Sequence, residues 1–322
     1  MSGQPANIEP DTCTSDDAGS IGTDFASIAS TLPDYVYENG RRYHARYSDK
    51  CSLPNDEREQ ERLDLMHHVF RLTLNGDLCY SKLNNPQRIL DVGTGTGIWA
   101  MEMAEEYPSA RVIGTDLSPI QPGWTPDNVE FIIEDALQEW TLPESSFDFI
   151  HLRSLAGSVP DWPSLLRKCY KCLAPGGQIE VSEARTHFCC DDGTFPENCM
   201  TRYWADEFHR LSQRVGYQFD IFPQIEDWLK DVGFTNIETV EKVVPVGTWP
   251  KDKALKTRGR YLMALFIGSG LEAYSFPVFI RAGGWKPKDV TNLLAKVSEE
   301  ILSNKMHIYT HCSYAIARKP SR

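Results

Sequence analysis

Several things are missing or scarce in this 322-residue chain, and each absence narrows the reading. Positive charge is in deficit: 33 Lys and Arg stand against 45 Asp and Glu, a formal net charge of -12. A general nucleic-acid surface needs clustered cations to neutralise phosphates, so direct nucleic-acid binding is not expected. No basic, apolar and cleavage-site sequence opens the chain, and no apolar run reads as approaching the ~20 residues of a membrane span. No membrane is therefore expected. Only one C-x-x-C occurs, Cys169 to Cys172, and without a second pair no metal is expected. Those two thiols share a helix face with Leu165, Leu166 and Leu173, which reads as packing. The nine cysteines read as reduced thiols inside a cell. A Gly-Lys-Ser/Thr P-loop and the G-x-G-x-x-G of a dinucleotide turn are absent too.

What is present centres on Arg88–Ala100, RILDVGTGTGIWA. Ile89, Leu90 and Val92 form a buried strand ending in an acid, Asp91, and Gly93, Gly95 and Gly97 follow in alternation. Glycines allow positive φ and let a ligand touch backbone, and strand–turn–helix order is that of a nucleotide site. A carboxylate at the strand end repels a pyrophosphate and suits a cationic amino-acid cofactor. Taken alone, the segment also fits an ordinary strand–helix turn.

From residue 87 onward, strands and helices alternate as a parallel sheet covered on both faces requires. A second strand over 110–116 ends in Asp116, which suits the hydroxyls of a ribose. A turn-forming Asp before Ser118 and Pro119 is the other reading. The third strand, 129–133, runs into Asp135 and Ala136, a carboxylate and amide suited to an adenine edge. The fourth, 147–152, meets His151 and Arg153. A helix over 162–173 leads through Pro175, Gly176 and Gly177 into the fifth strand, which ends at Glu183. Acids spaced over three strand ends are a joint signal that no single one supplies.

Outside that core the pattern changes. Residues 1–30 are rich in Ser, Thr, Asp and Gly and are expected to be disordered. An aromatic- and Arg-rich stretch, 35–44, reads either as a lid or as an outer strap. Asn55 or Asp56 caps a helix expected to run to about residue 80. Residues 184–222 are aromatic-rich, with a helix over 199–215 and a short one over 223–232 stopped by Gly233. A β-like stretch over 236–246, with Pro245 marking an edge or strand end, precedes helices over 251–271 and 287–302. The chain closes on a strand over 307–317.

These segments resemble the class I S-adenosylmethionine (SAM) methyltransferases, and more narrowly the LaeA-like methyltransferases of fungal secondary metabolism. The narrower likeness rests on ENGRRYH (38–44), LPNDE (53–57), LDVGTGTGIWA (90–100), GTDLSPIQP (114–122), DFIHLR (148–153), GSVPDW (157–162), PGG (175–177) and DDG (191–193). The resemblance implies an α/β, Rossmann-like class I methyltransferase fold: a seven-stranded sheet, its last strand antiparallel, with an N-terminal lid and helical insertions. The likeness covers about residues 37–318, and with the composition it divides the chain into a disordered head (1–30), a lid and first helix (31–82), and a SAM-binding domain (83–322). Within the last lie a cap over about 184–235 and an insertion over about 251–304. It further implies that Asp91, Gly93 and Gly95 face the methionine of SAM, Asp116 the ribose, and Asp135 and Ala136 the adenine. His151 and Arg153 sit at the methionine end or in the substrate mouth, and Tyr43 closes over SAM.

Methyl transfer relies largely on positioning, and a general base helps where the acceptor is a hydroxyl. His151, His187, Glu183 and, on the cap, His209 are candidates, with Glu183 also readable as a substrate anchor or a buried hydrogen-bonded acid. Trp99 reads as packing or as a cofactor contact, and the aromatic cap as a substrate wall or as plain core. Three functions follow: a cytoplasmic enzyme methylating a small-molecule acceptor, a nuclear regulator acting through protein partners, or a non-catalytic SAM-binding scaffold.

Overall fold

The computed structural model describes residues 35–44 and 53–321. The expected disordered head, 1–30, lies outside the described residues. Seven strands form one sheet: β3 (Arg88–Val92), β4 (Arg111–Asp116), β5 (Val129–Ile133), β6 (Phe147–Arg153), β7 (Leu173–Ala184), β8 (Thr235–Pro245) and β9 (Tyr309–Arg318), in spatial order β5-β4-β3-β6-β7-β9-β8. All pairs from β5 to β7 are parallel, and β9 runs antiparallel to both β7 and β8. This is the seven-stranded sheet with an antiparallel last strand that the motifs imply. β3 has neighbours from opposite directions in the chain, β4 on one side and β6 on the other, so the crevice at its carboxyl end is a ligand-binding position. β3 is apolar on both faces because both are covered; Ile89, Leu90 and Val92 are fully buried.

Flanking helices are α2 (Ile98–Glu106), α3 (Trp162–Cys172) and α5 (Phe222–Val232). α3 buries Cys169 and Cys172 on its inner face with Leu165 and Leu166, as free thiols in packing roles. Gly233 stops α5 in the left-handed region, φ 107°. The turn read at Pro175–Gly177 lies inside β7, where the register against β6 shifts between Phe147 and Phe149. Four residues bulge out there, which Gly176 permits with φ +81°.

Above the strand tips sits a second layer. A hairpin, β1 (Tyr35–Glu38) and β2 (Arg41–His44), leads to α1 (Glu57–Thr73), which Asp56 caps by accepting from Glu59 N. α1 is shorter than expected: Asn75 and Gly76 turn to positive φ, 59° and 103°, and end it near Leu74. α4 (Met200–Arg214), α6 (Lys253–Ala282) and α7 (Pro287–Leu302) complete the layer. Met66 and Phe70 of α1, Trp204 and Phe208 of α4, Leu262 and Phe276 of α6 and Val297 of α7 share one apolar cluster.

α6 corrects two expectations. It continues past residue 271 to Ala282 by widening its turns over Phe266–Gly270 and Phe276–Ala282, the second accommodating Pro277. Its 30 residues, with a mean hydropathy of 1.4 over its most apolar window, are also long and apolar enough to cross a membrane. Here the helix packs inward instead: Leu265, Leu271, Val278 and Phe279 are buried, and Glu272 pairs with Arg41 and Arg58.

Candidate functional site

The glycine turn closes over β3. Gly93 and Gly97 take φ +70° and +79°, and a Cβ on either would lie 2.3 Å from Leu155 or Phe131. Only glycine fits both the backbone and the space. Asp91 is buried at the strand tip; its Oδ1 accepts from His151 Nδ1 (2.8 Å) and its Oδ2 from Thr94 Oγ1 (2.6 Å). The tip of β4 is joined to the same turn, since Asp116 accepts from Gly95 N (2.8 Å) and Ser118 N (2.9 Å). Burial pushes the Asp116 carboxyl up to about 6, against those backbone hydrogen bonds. After β5, Asp135 Oδ1 accepts from Leu137 N (2.8 Å), while its Oδ2 is buried without a hydrogen-bond partner. A buried carboxylate oxygen with spare capacity is suited to a ligand N–H.

Two cavities run over these tips and meet at Gly93. One, about 130 Å³, is lined by His44, Asp116, Leu117, Asp135, Ala136 and Val159 among others. The second, about 40 Å³, is lined by Leu63, Met66, His67, Asp91, Gly95 and Arg153 among others. The first has the shape and acids of a nucleoside lobe, and the second those of an amino-acid lobe. Met66 also lines a third, apolar chamber of about 60 Å³, walled by Phe188, Trp204, Phe208, Leu265 and Phe266. In that wall Thr186 Oγ1 is buried without a partner.

Most sequence candidates converge here, and some do not. Asp91, Gly93, Gly95, Asp116, Asp135, Ala136 and Arg153 line the paired cavities. His151 lies beneath them, buried and stacked on Trp99 (centroids 3.8 Å apart, 10° between planes) with its Nδ1 on Asp91. A buried ring stacked in that way orients Asp91 and stands outside the linings of these cavities. Trp99 donates to Leu78 O (2.8 Å) and is a packing residue. Glu183 accepts from both Leu155 N (2.7 Å) and Ala156 N (3.1 Å), which anchors the loop along the nucleoside lobe. Burial pushes its carboxyl up to about 8.

His187 is drawn away. It pairs with Asp220 (3.0 Å), stacks on His209 (4.2 Å) and lines a separate open cleft beside Trp228. Tyr43 is buried beneath Arg281 (4.9 Å), with its hydroxyl pushed up to about 12 by burial. Its neighbour His44, rather than Tyr43, is on the cavity wall. Sequence reasoning missed His44 and His67. The signal for His67 is its place on the inner face of α1, visible only once α1 is laid against α2.

Fold and site together are those of an α/β protein with a two-lobed, acid-lined cavity over the tips of its parallel strands. A methyltransferase domain family matches residues 60–239. The methyltransferase pytC of Aspergillus terreus is 39% identical over 320 residues, covering 98% of this chain and 97% of that one. The secondary metabolism regulator LAE1 of Cochliobolus heterostrophus is 38% identical over 296 residues, covering 88% and 95%. The protein-methionine methyltransferase laeA of Emericella nidulans is 35% identical over 290 residues, covering 88% and 76%. The chain belongs to this methyltransferase family and is a SAM-dependent methyltransferase.

The residues present fit that donor. Asp135 Oδ2 has an open acceptor position that would suit the adenine amino group, Asp116 would take the ribose hydroxyls, and Asp91 would offer a carboxylate to the ammonium. SAM supplies an electrophilic methyl group on a sulfonium. The protein's contribution is to orient that group and exclude water, which is where positioning lowers the barrier.

Proposed function

We propose that this enzyme methylates an oxygen or nitrogen of a small, largely apolar secondary metabolite in the cytoplasm of a fungus. The observation that carries this reading is the shared wall at Met66. The donor's amino-acid lobe and an aromatic chamber meet there, and the chamber offers one unpaired hydroxyl, Thr186 Oγ1. Apolar walls with few polar groups are what a small organic ligand needs. Among the described residues no His, Asp or Glu lines the chamber, so acceptor binding would rest mainly on apolar contact and shape, with Arg185 and a few hydroxyls as its polar groups.

A second reading, a regulator acting through protein partners in the nucleus, is favoured by the likeness to LAE1. Purified protein incubated with methyl-labelled SAM and a host metabolite extract separates the two. The metabolite reading expects label in a small molecule that is lost on Asp91→Ala. Label confined to protein supports the regulator, and binding of SAM with no transfer to either fraction supports a scaffold.

A further inference from the structure

Arg153 ends β6 on the wall of the amino-acid lobe, and its guanidinium has no ion-pair partner among the described residues. Burial lowers its pKa, partly offset by attraction from Asp91 across the lobe. Its Nη2 donates to His67 Nδ1 at 3.0 Å, and its guanidinium carbon lies 5.4 Å over the ring of Phe70. His67 in turn holds Glu102 of α2 through Nε2 (2.9 Å), and Glu102 also accepts from Arg71 (2.9 Å). His67, Phe70 and Arg71 recur at i, i+3 and i+4, so one face of α1 carries the whole bracket. Burial and the two neighbouring guanidiniums push His67 down to about 2. The ring is neutral, with Nδ1 as acceptor and Nε2–H as donor to Glu102.

We propose that the Glu102–His67 pair is a positioning relay that aims Arg153 at the carboxylate of the donor's amino-acid end. The proposal rests on the donor assignment above. A guanidinium offers donors in a planar fork, and using one nitrogen on His67 fixes the plane while leaving other N–H groups for a carboxylate. Asp91 and Arg153 then receive opposite ends of one zwitterion. The lobe thereby discriminates a complete cofactor from a nucleoside thioether lacking the amino acid. That discrimination is controlled from α1 and α2, outside the strand tips.

The test compares two probes by calorimetry: S-adenosylhomocysteine, and 5′-deoxy-5′-methylthioadenosine, which lacks the amino-acid portion. The wild-type protein should prefer the former. Arg153→Met should cut that preference by about tenfold to a hundredfold, the worth of a charge-assisted hydrogen bond. His67→Leu should cut it by about tenfold, with the affinity for methylthioadenosine unchanged. His67→Gln, whose amide can accept from Arg153 and donate to Glu102, should restore it to within about threefold of wild type. Should His67→Leu fail to fold, Glu102→Leu cuts the relay at its outer end and should lower the preference by about threefold. The relay is overturned if His67→Leu or Glu102→Leu leaves the ratio unchanged or weakens both ligands equally, or if Gln is no better than Leu. Equal wild-type affinities would overturn Arg153 as the anchor, and binding of neither ligand would overturn the donor assignment itself.

Discussion

Across the tips of β3, β4 and β5, three carboxylates and a glycine turn come from one stretch between residues 91 and 135. Backbone amides of that stretch or just beyond it, at Gly95, Ser118 and Leu137, hold two of the three, Asp116 and Asp135. The roof is assembled differently: Met66, Phe188, Phe208 and Leu265 come from four segments and meet only through apolar contact. The donor is one molecule with fixed charges, so its cradle can be written as short motifs of acid and glycine at set spacing. A small apolar acceptor of the kind proposed would need only volume and apolar surface, which many residue combinations supply. Changes in the cradle should therefore act on SAM affinity, and changes in the roof on acceptor choice and stability.

The largest effect that sharpens this contrast is expected from Gly95→Val. Gly95 sits at φ +59° with Leu63 3.3 Å from where a Cβ would lie, so a branched side chain opposes both the backbone and ligand approach. SAM affinity should fall by about a hundredfold or more, by calorimetry. A dissociation constant near wild type in a folded variant would mean the turn does not hold the donor.

Asp116→Ala comes next, at about tenfold to a hundredfold, through loss of a charge-assisted pair. Because Asp116 also accepts from Gly95 N, the substitution loosens the turn as well as the ribose contact. Asp116→Asn keeps an acceptor oxygen and should fall between Ala and wild type. Equal losses for Ala and Asn would show that charge alone matters.

Glu183 joins the two regions, and its effect is on stability. Its folded carboxyl is raised from 4.5 to about 8, so the folded state binds more protons than the unfolded state between those values. Stability from this group therefore falls as pH rises from about 4.5 to 8. At about 1.4 kcal/mol per unit, the span is on the order of a few kcal/mol. Glu183→Gln keeps an oxygen for Leu155 N and Ala156 N and should flatten the dependence of melting temperature on pH across that window. Turnover should stay within about threefold of wild type; a loss of about a hundredfold, the scale of general-base catalysis, would make Glu183 the base rather than a loop anchor.

The smallest effects belong to the hairpin. His44→Ala, on the cavity wall, should weaken SAM by a factor of about three to ten, in line with one lost hydrogen bond. Tyr43→Ala, which removes a ring packed beneath Arg281, should lower the apo melting temperature and leave the SAM affinity of the folded fraction unchanged. The reverse pattern would restore Tyr43 to a lid over the donor.

The strands, the glycine turn and the spaced acids were legible because each depends on neighbours in sequence. β3 declares itself by Ile89, Leu90 and Val92, Asp116 by ending its strand and Asp135 by following one closely. His187 misled because a histidine near a strand end looks the same whether it turns toward the site or toward Asp220. The helix expected over 251–271 is part of a longer one, because widened turns at Phe266–Gly270 and Phe276–Ala282 carry it past Gly268, Gly270 and Pro277. His67 lay within a recognised helix, yet nothing in α1 alone says which face meets Arg153.

The doubly covered sheet and the donor could be read from the residues alone, together with the glycines and acids that line the paired cavities. These follow from periodicity and from the φ, charge and hydrogen-bonding demands of a few adjacent residues. Packing between distant elements settles that His151 steadies Asp91, that Glu183 holds a loop, that His44 reaches the cavity and that Met66 lies between the amino-acid lobe and the apolar chamber. Those roles depend on contacts between residues far apart in the chain, where direction is set by packing of whole elements rather than by local propensity.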